Sequence, residues 1–159
     1  MFANIFKPIV LYCVGLLIVP FIQAAYFQPC YYNVDYSLKI QRVSVFTEPS
    51  SQQQEVSIRY KAYSDVRIPK GKVRVDTFLT SESSQDVQNS NSHPFCRDTE
   101  CPIEQGDHFD AEFRQIIPRN YYGSMTLLVR VVNQVSGREL TCIVVNFDTY
   151  YDRDALKAN

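Results

Sequence analysis

The sequence predicts an all-β protein, an antiparallel β-sandwich of about seven strands. Three observations predict this fold. Polar and apolar residues alternate with a period of two in successive segments, glycines and prolines separate those segments, and aromatic residues are frequent. The chain has 11 Tyr and 10 Phe but only 5 Gly, a composition that favours strands. No convincing helical period follows the N-terminal segment, so we expect a single β-rich domain.

The first three predicted strands cover residues 37–46, 55–63 and 72–79. In the first of them the apolar register slips at Gln41 and Arg42, which indicates a β-bulge. The other two alternate without a break, so every second side chain lies on one face. That face carries Val56, Ile58, Tyr60, Ala62, Val73, Val75, Thr77 and Leu79.

Three more strands are predicted over residues 108–116, 124–132 and 139–147. The last two are the most apolar, which predicts central positions with both faces covered. Residues 81–92 are rich in Ser, Gln and Asn, and we expect a mobile loop there. Between the predicted strands lie Gly71, Gly106, Gly123 and Gly137, at places where a turn can require positive φ.

Residues 1–24 have the pattern of a secretory signal peptide. Lys7 is followed by an apolar run over residues 8–22, and then by the small residues Ala24 and Ala25. A membrane anchor is the alternative, but about 15 apolar residues fall short of the roughly 20 that span a bilayer. We therefore expect cleavage near Ala24 or Ala25 and a single domain over residues 25–159.

The cysteines of a secreted chain are expected to form disulfides. Four remain after residue 24, namely Cys30, Cys96, Cys101 and Cys142, and an oxidising route favours their pairing. Four cysteines allow three connectivities. Because Cys96 and Cys101 enclose only four residues, they can close a small loop and leave Cys30 for Cys142.

A zinc site is the alternative use of two of these cysteines. His93, Cys96, Cys101 and His108 could supply two nitrogen and two sulfur ligands. Their spacing matches no familiar zinc finger, and an oxidising compartment removes the thiolates, so we expect no metal or other cofactor. The same two histidines, which are the only ones, belong to no nucleophile motif such as G-x-S-x-G. We expect both at the surface, and we expect no enzymatic activity.

The charge balance argues against nucleic acid as a partner. Lys and Arg number 16 against 17 Asp and Glu, without the basic excess that neutralises phosphates. One basic run stands out, whereas residues 98–112 are acidic, and our hypothesis is that the molecule is bipolar. Contact of the run with anionic headgroups is one interpretation, and a solvated face is the other. The run consists of Arg59, Lys61, Arg67, Lys70, Lys72 and Arg74.

Several motifs together resemble the ML (lipid-recognition) domain family. The resemblance is to the phosphatidylglycerol/phosphatidylinositol transfer protein-like branch, related to the Niemann-Pick type C sterol-transfer proteins, and it extends over nearly all of the chain after the signal peptide. The matching motifs are Cys30, the LKIQRV of residues 38–43, the IPKGKV of residues 68–73, the CRDTECPI of residues 96–103, Gly106, Ile117-Pro118 and Leu140-Thr141-Cys142.

The resemblance implies an immunoglobulin-like β-sandwich whose sheets splay apart to admit the apolar part of a lipid. It also implies the disulfides Cys30–Cys142 and Cys96–Cys101. One departure concerns residues 81–92, which are polar here but apolar and proline-rich in sterol-transfer members. This departure argues against sterol as the ligand.

A lipid site needs an apolar concave lining with few polar groups. Tyr122 matches an aromatic residue near the cavity mouth of sterol-transfer relatives, although it could instead pack a loop. A filled sandwich core would place the other candidates on the same faces, so the lipid assignment depends on the resemblance. Those candidates are Val56, Ile58, Tyr60, Val73, Val75, Phe109, Phe113, Leu127, Val129, Val131, Ile143, Val145 and Phe147.

Two functional hypotheses follow. The first is a lipid carrier, secreted or located in an endolysosomal or vacuolar lumen, that holds a phospholipid or sterol and transfers it between membranes. The second is a secreted recognition factor on the same fold, for which lipid is a signal or incidental. The expected partners are a lipid and, transiently, a membrane surface, and we expect a monomer.

Overall fold

The computed structural model describes residues 26–49, 54–81, 84–117 and 123–149, and within these ranges the chain forms eight strands. The predicted signal peptide and Tyr122 lie outside the described residues. A short 3-10 helix, Phe95–Arg97, follows the fifth strand. The strands are β1 (Tyr26–Pro29), β2 (Leu38–Pro49), β3 (Gln54–Ser64), β4 (Val73–Ser81), β5 (Ser84–Pro94), β6 (His108–Ile117), β7 (Gly123–Asn133) and β8 (Glu139–Thr149).

These strands form two sheets, and every strand pair is antiparallel. The smaller sheet has the order β2-β3-β6, and the larger has the order β1-β8-β7-β4-β5. The predicted all-β sandwich is confirmed. The predicted bulge is also confirmed, because the β2–β3 register shifts between Ile40 and Arg42. A bulge adds one residue to a strand and so restores the inward alternation after it.

Two strands were not predicted as such. β5 lies where a mobile loop was expected, so that expectation is wrong. β5 is an edge strand that pairs with β4 through its backbone, and an edge strand needs no apolar alternation to pair. β1 was not predicted because four residues are too few to show alternation. It pairs with β8 at the other edge of the larger sheet.

The two most apolar strands occupy central positions, as predicted. β7 lies between β8 and β4, and β8 lies between β1 and β7. The expectation that both of their faces are covered is wrong. Their inner side chains are buried, but Asn146 and Asp148 of β8 are exposed on the outer face. This is typical of an antiparallel sheet that has one solvent-exposed face.

Two disulfides link the chain. Cys30–Cys142 joins the residue after β1 to β8, and the Cys30 amide donates a hydrogen bond to the Cys142 carbonyl at 3.0 Å. Cys96–Cys101 closes the small loop after β5. This bond takes up both sulfurs of the alternative zinc site. No group of three or more His, Cys, Asp or Glu among the described residues is arranged to hold a metal ion.

The bipolar charge hypothesis is wrong, because the fold pairs the basic strand with the acidic one. β3 runs beside β6, which places Arg59 opposite Glu112 and Lys61 opposite Asp110. The Arg59 Nε–Glu112 Oε2 distance is 2.6 Å, and the Lys61 Nζ–Asp110 Oδ1 distance is 3.7 Å. β3 and β4 belong to different sheets, so the cations of these two strands do not face each other.

The Glu112 carboxylate gives a testable pH dependence. The Arg59 guanidinium, and then the Ser57 hydroxyl at 2.7 Å, lower the pKa of Glu112 below its ordinary 4.5. A depressed folded pKa stabilises the protein above pH 4.5, and this contribution is lost as pH falls through the folded value. We expect Glu112→Gln to lower the free energy of unfolding at pH 7 by about 0.2–1 kcal/mol, since Arg59 is exposed to screening.

Urea unfolding of wild type and Glu112→Gln, at pH 7 and at a pH well below 4.5, measures this difference. The two proteins should converge at the acidic pH. Glu100→Gln, an exposed position in the disulfide loop, is the matched control and should behave like wild type at both. A Glu112→Gln deficit that persists unchanged in acid would show that the carboxylate charge is not its cause.

Candidate functional site

The fold brings the predicted lipid-lining residues together between the two sheets. Twelve of the fourteen belong to one buried cluster, Phe109 packs against that cluster, and Tyr122 is not among the described residues. Their use by a lipid stays a prediction. The twelve are Val56, Ile58, Tyr60, Val73, Val75, Phe113, Leu127, Val129, Val131, Ile143, Val145 and Phe147.

A cluster of aromatic rings lies on the β6 side of this interior. The Tyr60 ring meets Phe109 and Phe113 edge-on, with centroids 6.5 and 6.4 Å apart. Phe95 meets Phe109 at 5.9 Å and is fully buried. Sequence reasoning missed Phe95, because it lies on the 3-10 helix between strands, where no alternation marks its face.

The interior side chains pack against one another. Five pockets of the described residues have volumes of 360–590 Å³ and are open to solvent, and each includes at most one of the predicted lipid-lining residues. An interior at native packing density accepts a lipid only if side chains or sheets move apart. An apolar cavity of the kind that the resemblance implies would therefore require the two sheets to move apart.

One pocket lies where the edges of the two sheets meet. It is a cleft of about 550 Å³ between β5 and β6, the adjacent edges of the two sheets, and Phe113 is part of its lining. We call it the β5–β6 cleft. The Asn89 side-chain amide donates to the Ile116 carbonyl at 3.2 Å across it. Because residues 81–92 were expected to form a loop, the sequence could not locate this cleft.

A buried polar seam runs along the same edge. The Thr77 hydroxyl of β4 donates to Gln115 Oε1 of β6 at 3.2 Å, so the two sheets are hydrogen-bonded through their inner faces. Both residues are buried, at 1% and 4% exposure. Because both side chains are buried and hydrogen-bonded to each other, this pair holds the two sheets in a fixed relative position.

His93 and Asp98 extend the seam, and His93 was expected at the surface. That expectation is wrong, because their side chains are only 4% and 3% exposed. β5 pairs His93 with Val75, which places the ring on the inner face. Asp98 is held between the sheets, since its amide donates to Phe95 and its carbonyl accepts from Glu112. His93 Nε2 lies 2.5 Å from Asp98 Oδ2.

The other histidine behaves as expected. His108 is exposed at the start of β6, and its ring lies 5.0 Å from that of Tyr63. Tyr60, in contrast, is deeply buried. Burial raises the pKa of its hydroxyl, and the Asp98 carboxylate raises it further. Tyr60 is therefore a neutral hydrogen-bond donor throughout the physiological range.

The described residues form an antiparallel sandwich with an apolar interior and one polar edge. The ML domain family model matches residues 24–149 of this chain. The chain therefore belongs to the ML domain family. The resemblance that its motifs carry is confirmed.

Two of the solved structures to which the chain is similar support the fold. A Niemann-Pick type C2 protein from Japanese carpenter ant has a TM-score of 0.53 at 14% identity, covering 76% of this chain and 96% of that one. The C-terminal domain of Wzt has a TM-score of 0.51 at 10% identity, covering 84% and 83%. Chicken MD-1 complexed with lipid IVa has 0.48 at 17%, covering 80% and 90%. No curated protein matches the chain in sequence.

Proposed function

We propose that this protein is a lipid carrier. It holds the apolar part of a phospholipid or sterol between its two sheets and transfers the lipid between membranes, without a chemical step. Membership of the ML domain family carries this proposal, and the apolar cluster between the sheets supports it. Burial of each CH₂ group contributes roughly 0.8 kcal/mol, so half of an ordinary acyl chain offsets the cost of ordering the lipid.

The proposed site of action is outside the cell or in an endolysosomal or vacuolar lumen. Two disulfides support it, because disulfides persist in oxidising compartments and are rare in the cytosol. The signal-like pattern of residues 1–24 points the same way.

Membrane-spanning helices are a separate question. Over the ranges that the structure describes, the chain has no helix long and apolar enough to cross a bilayer.

Val129→Phe tests the interior as the lipid site. Val129 is 2% exposed on β7, opposite Ile143 of β8, so a phenyl ring there adds volume between the sheets. We expect lipid uptake and vesicle-to-vesicle transfer to fall several-fold, while overpacking costs about 1–3 kcal/mol and leaves the fold in place. Lipid uptake is measured by native mass spectrometry, and folding by circular dichroism.

Val135→Phe is the matched control, because Val135 is 77% exposed in the turn between β7 and β8. It should bind and transfer lipid like wild type. The interior assignment is wrong if Val129→Phe also does so, while charge reversal at the exposed Lys70 and Lys72 removes activity. Lipid binding without any acceleration of transfer by wild type would favour the recognition factor over the carrier.

A further inference from the structure

Hydrogen bonds join the two sheets at the edge formed by β5 and β6. The Thr77 hydroxyl of β4 donates to Gln115 Oε1 of β6 at 3.2 Å, and both residues are buried. The Asn89 side-chain amide of β5 donates to the Ile116 carbonyl of β6 at 3.2 Å. The β5–β6 cleft lies beside these bonds, since Asn89, Gln115 and Ile116 line it. Polar contacts therefore close the sandwich at this edge.

The opposite edge of the sandwich has apolar inner side chains. There β2 packs against β8, and Leu38, Val43 and Val45 of β2 belong to the buried cluster. The connection from β1 to β2, residues 30–37, is held to β8 by the Cys30–Cys142 disulfide. Separation of the sheets at this edge exposes apolar surface to water, which is unfavourable. We therefore expect the sheets to separate at the β5–β6 edge.

The polar atoms at the β5–β6 edge have other partners when the sheets separate. The Thr77 hydroxyl lies 3.4 Å from the Asn91 carbonyl of β5, an acceptor within its own sheet. The Gln115 amide nitrogen already donates to the Ile116 carbonyl of its own strand at 3.2 Å. Gln115 and Asn89 both line the cleft, where water can replace a lost partner. Opening this edge therefore avoids the cost of a buried, unpaired polar atom.

The loop between β5 and β6 holds the other end of this edge together. His93 Nε2 of β5 lies 2.5 Å from Asp98 Oδ2, and the Asp98 carbonyl accepts from the Glu112 amide of β6 at 3.1 Å. The Cys96–Cys101 disulfide closes the same loop. Because these contacts link the sheets at the loop, we expect the opening to form at the end of the cleft that lies away from it.

We propose that lipid enters and leaves the interior through the β5–β6 cleft, and that Thr77 and Gln115 form its gate. In the closed gate the Thr77 hydroxyl donates to Gln115. In the open gate it turns to the Asn91 carbonyl as the sheets separate. Phe113 lines the cleft and belongs to the buried cluster, so the opening leads to the apolar interior. This inference rests on the proposed function and adds the route of the lipid and the residues that control it.

A crosslink across the cleft tests the route. Asn89→Cys combined with Ile116→Cys places one thiol on each sheet, at two positions that a hydrogen bond already joins. One half of the purified double variant is treated with a short bis-maleimide, and the other half is blocked with N-ethylmaleimide. Native mass spectrometry follows lipid uptake from vesicles of phosphatidylcholine, phosphatidylglycerol and cholesterol. We expect the crosslink to slow uptake by about 10-fold or more relative to the blocked sample, because a closed gate limits access.

Thr126→Cys combined with Asn146→Cys is the matched control crosslink. These two residues are partners on β7 and β8, and their side chains share a hydrogen bond of 2.9 Å. Both strands belong to the larger sheet, so this crosslink does not join the two sheets. Uptake by the crosslinked control should therefore equal uptake by its blocked sample.

Thr77→Val tests the gate itself. Valine is nearly the same size but has no donor, so the closed gate leaves Gln115 Oε1 unpaired and becomes less favourable. We expect lipid uptake to be about 3- to 10-fold faster than in wild type. A purely structural role would lower stability without accelerating uptake. Thr77→Ser keeps the hydroxyl and Thr126→Val removes one from an exposed pair, so both should keep the wild-type rate.

The inference is overturned if the crosslinked cleft takes up lipid as fast as its blocked sample, or if the control crosslink slows uptake equally. It is also overturned if folded Thr77→Val takes up lipid no faster than wild type. If Thr77→Val does not fold, the crosslinks decide the question alone. In each overturning case wild type still binds lipid, and the proposed function stands. If wild type takes up none of the three lipids, both proposals fail together.

Discussion

Replacing Cys30 and Cys142 together by serine is expected to lower the free energy of unfolding by about 4–5 kcal/mol. The bond links residues 112 positions apart, so its loss releases a loop that includes most of the described chain. Closing a loop of that size restricts the unfolded chain more than closing a short one. β1 has only four residues and depends on this link for its position on β8. Urea denaturation at neutral pH measures the change.

The double variant Cys96→Ser and Cys101→Ser is the control. It removes a bond between residues only five positions apart, for which the same relation gives about 2 kcal/mol. A larger loss for the short loop than for the long one would contradict the loop-length argument. Peptide mapping without reduction should recover both pairs from the purified protein.

Phe113→Ala is expected to cost about 3–5 kcal/mol, the range for removing a buried aromatic side chain. Phe113 is 2% exposed, lies opposite Ile58 of β3, and meets the Tyr60 ring at 6.4 Å. Its loss leaves a cavity beside the β5–β6 cleft, which Phe113 helps to line. Chemical denaturation of the purified variant gives the value.

Ile116→Ala provides the comparison on the same strand. Ile116 faces outward and is 48% exposed, so its truncation should change stability by about 0.5 kcal/mol or less. Equal losses at the two positions would mean that β6 does not alternate as the structure shows. A small loss at Phe113 alone would mean that its neighbours can collapse into the space.

Alternation along the chain was sufficient to predict six strands. Each of the predicted strands agrees with β2, β3, β4, β6, β7 or β8 to within three residues at either end. The inward positions of Val75, Phe113 and Val129 were likewise predictable. The physical reason is local, because the pleat turns successive side chains to opposite faces whatever the strand later pairs with.

The family could also be predicted from the sequence, because each of its motifs is a short run of residues that can be read directly from the chain. The buried inward residues could be predicted as a set, because a filled core and a lipid site use the same inward faces. Whether that interior opens around a ligand depends on how tightly the two sheets pack. Packing between residues far apart in the chain leaves no local pattern.

Contacts between distant segments decided the remaining features. β5 is a strand because its backbone pairs with that of β4, although the β5 side chains predict a loop. His93 and Asp98 are buried because β5 and the 3-10 helix bring them between the sheets. Arg59 is neutralised by Glu112, 53 residues away. In each case the pairing or burial of a residue depends on which strands become neighbours. The order of the strands in the sheets decides this, and the local sequence pattern does not contain it.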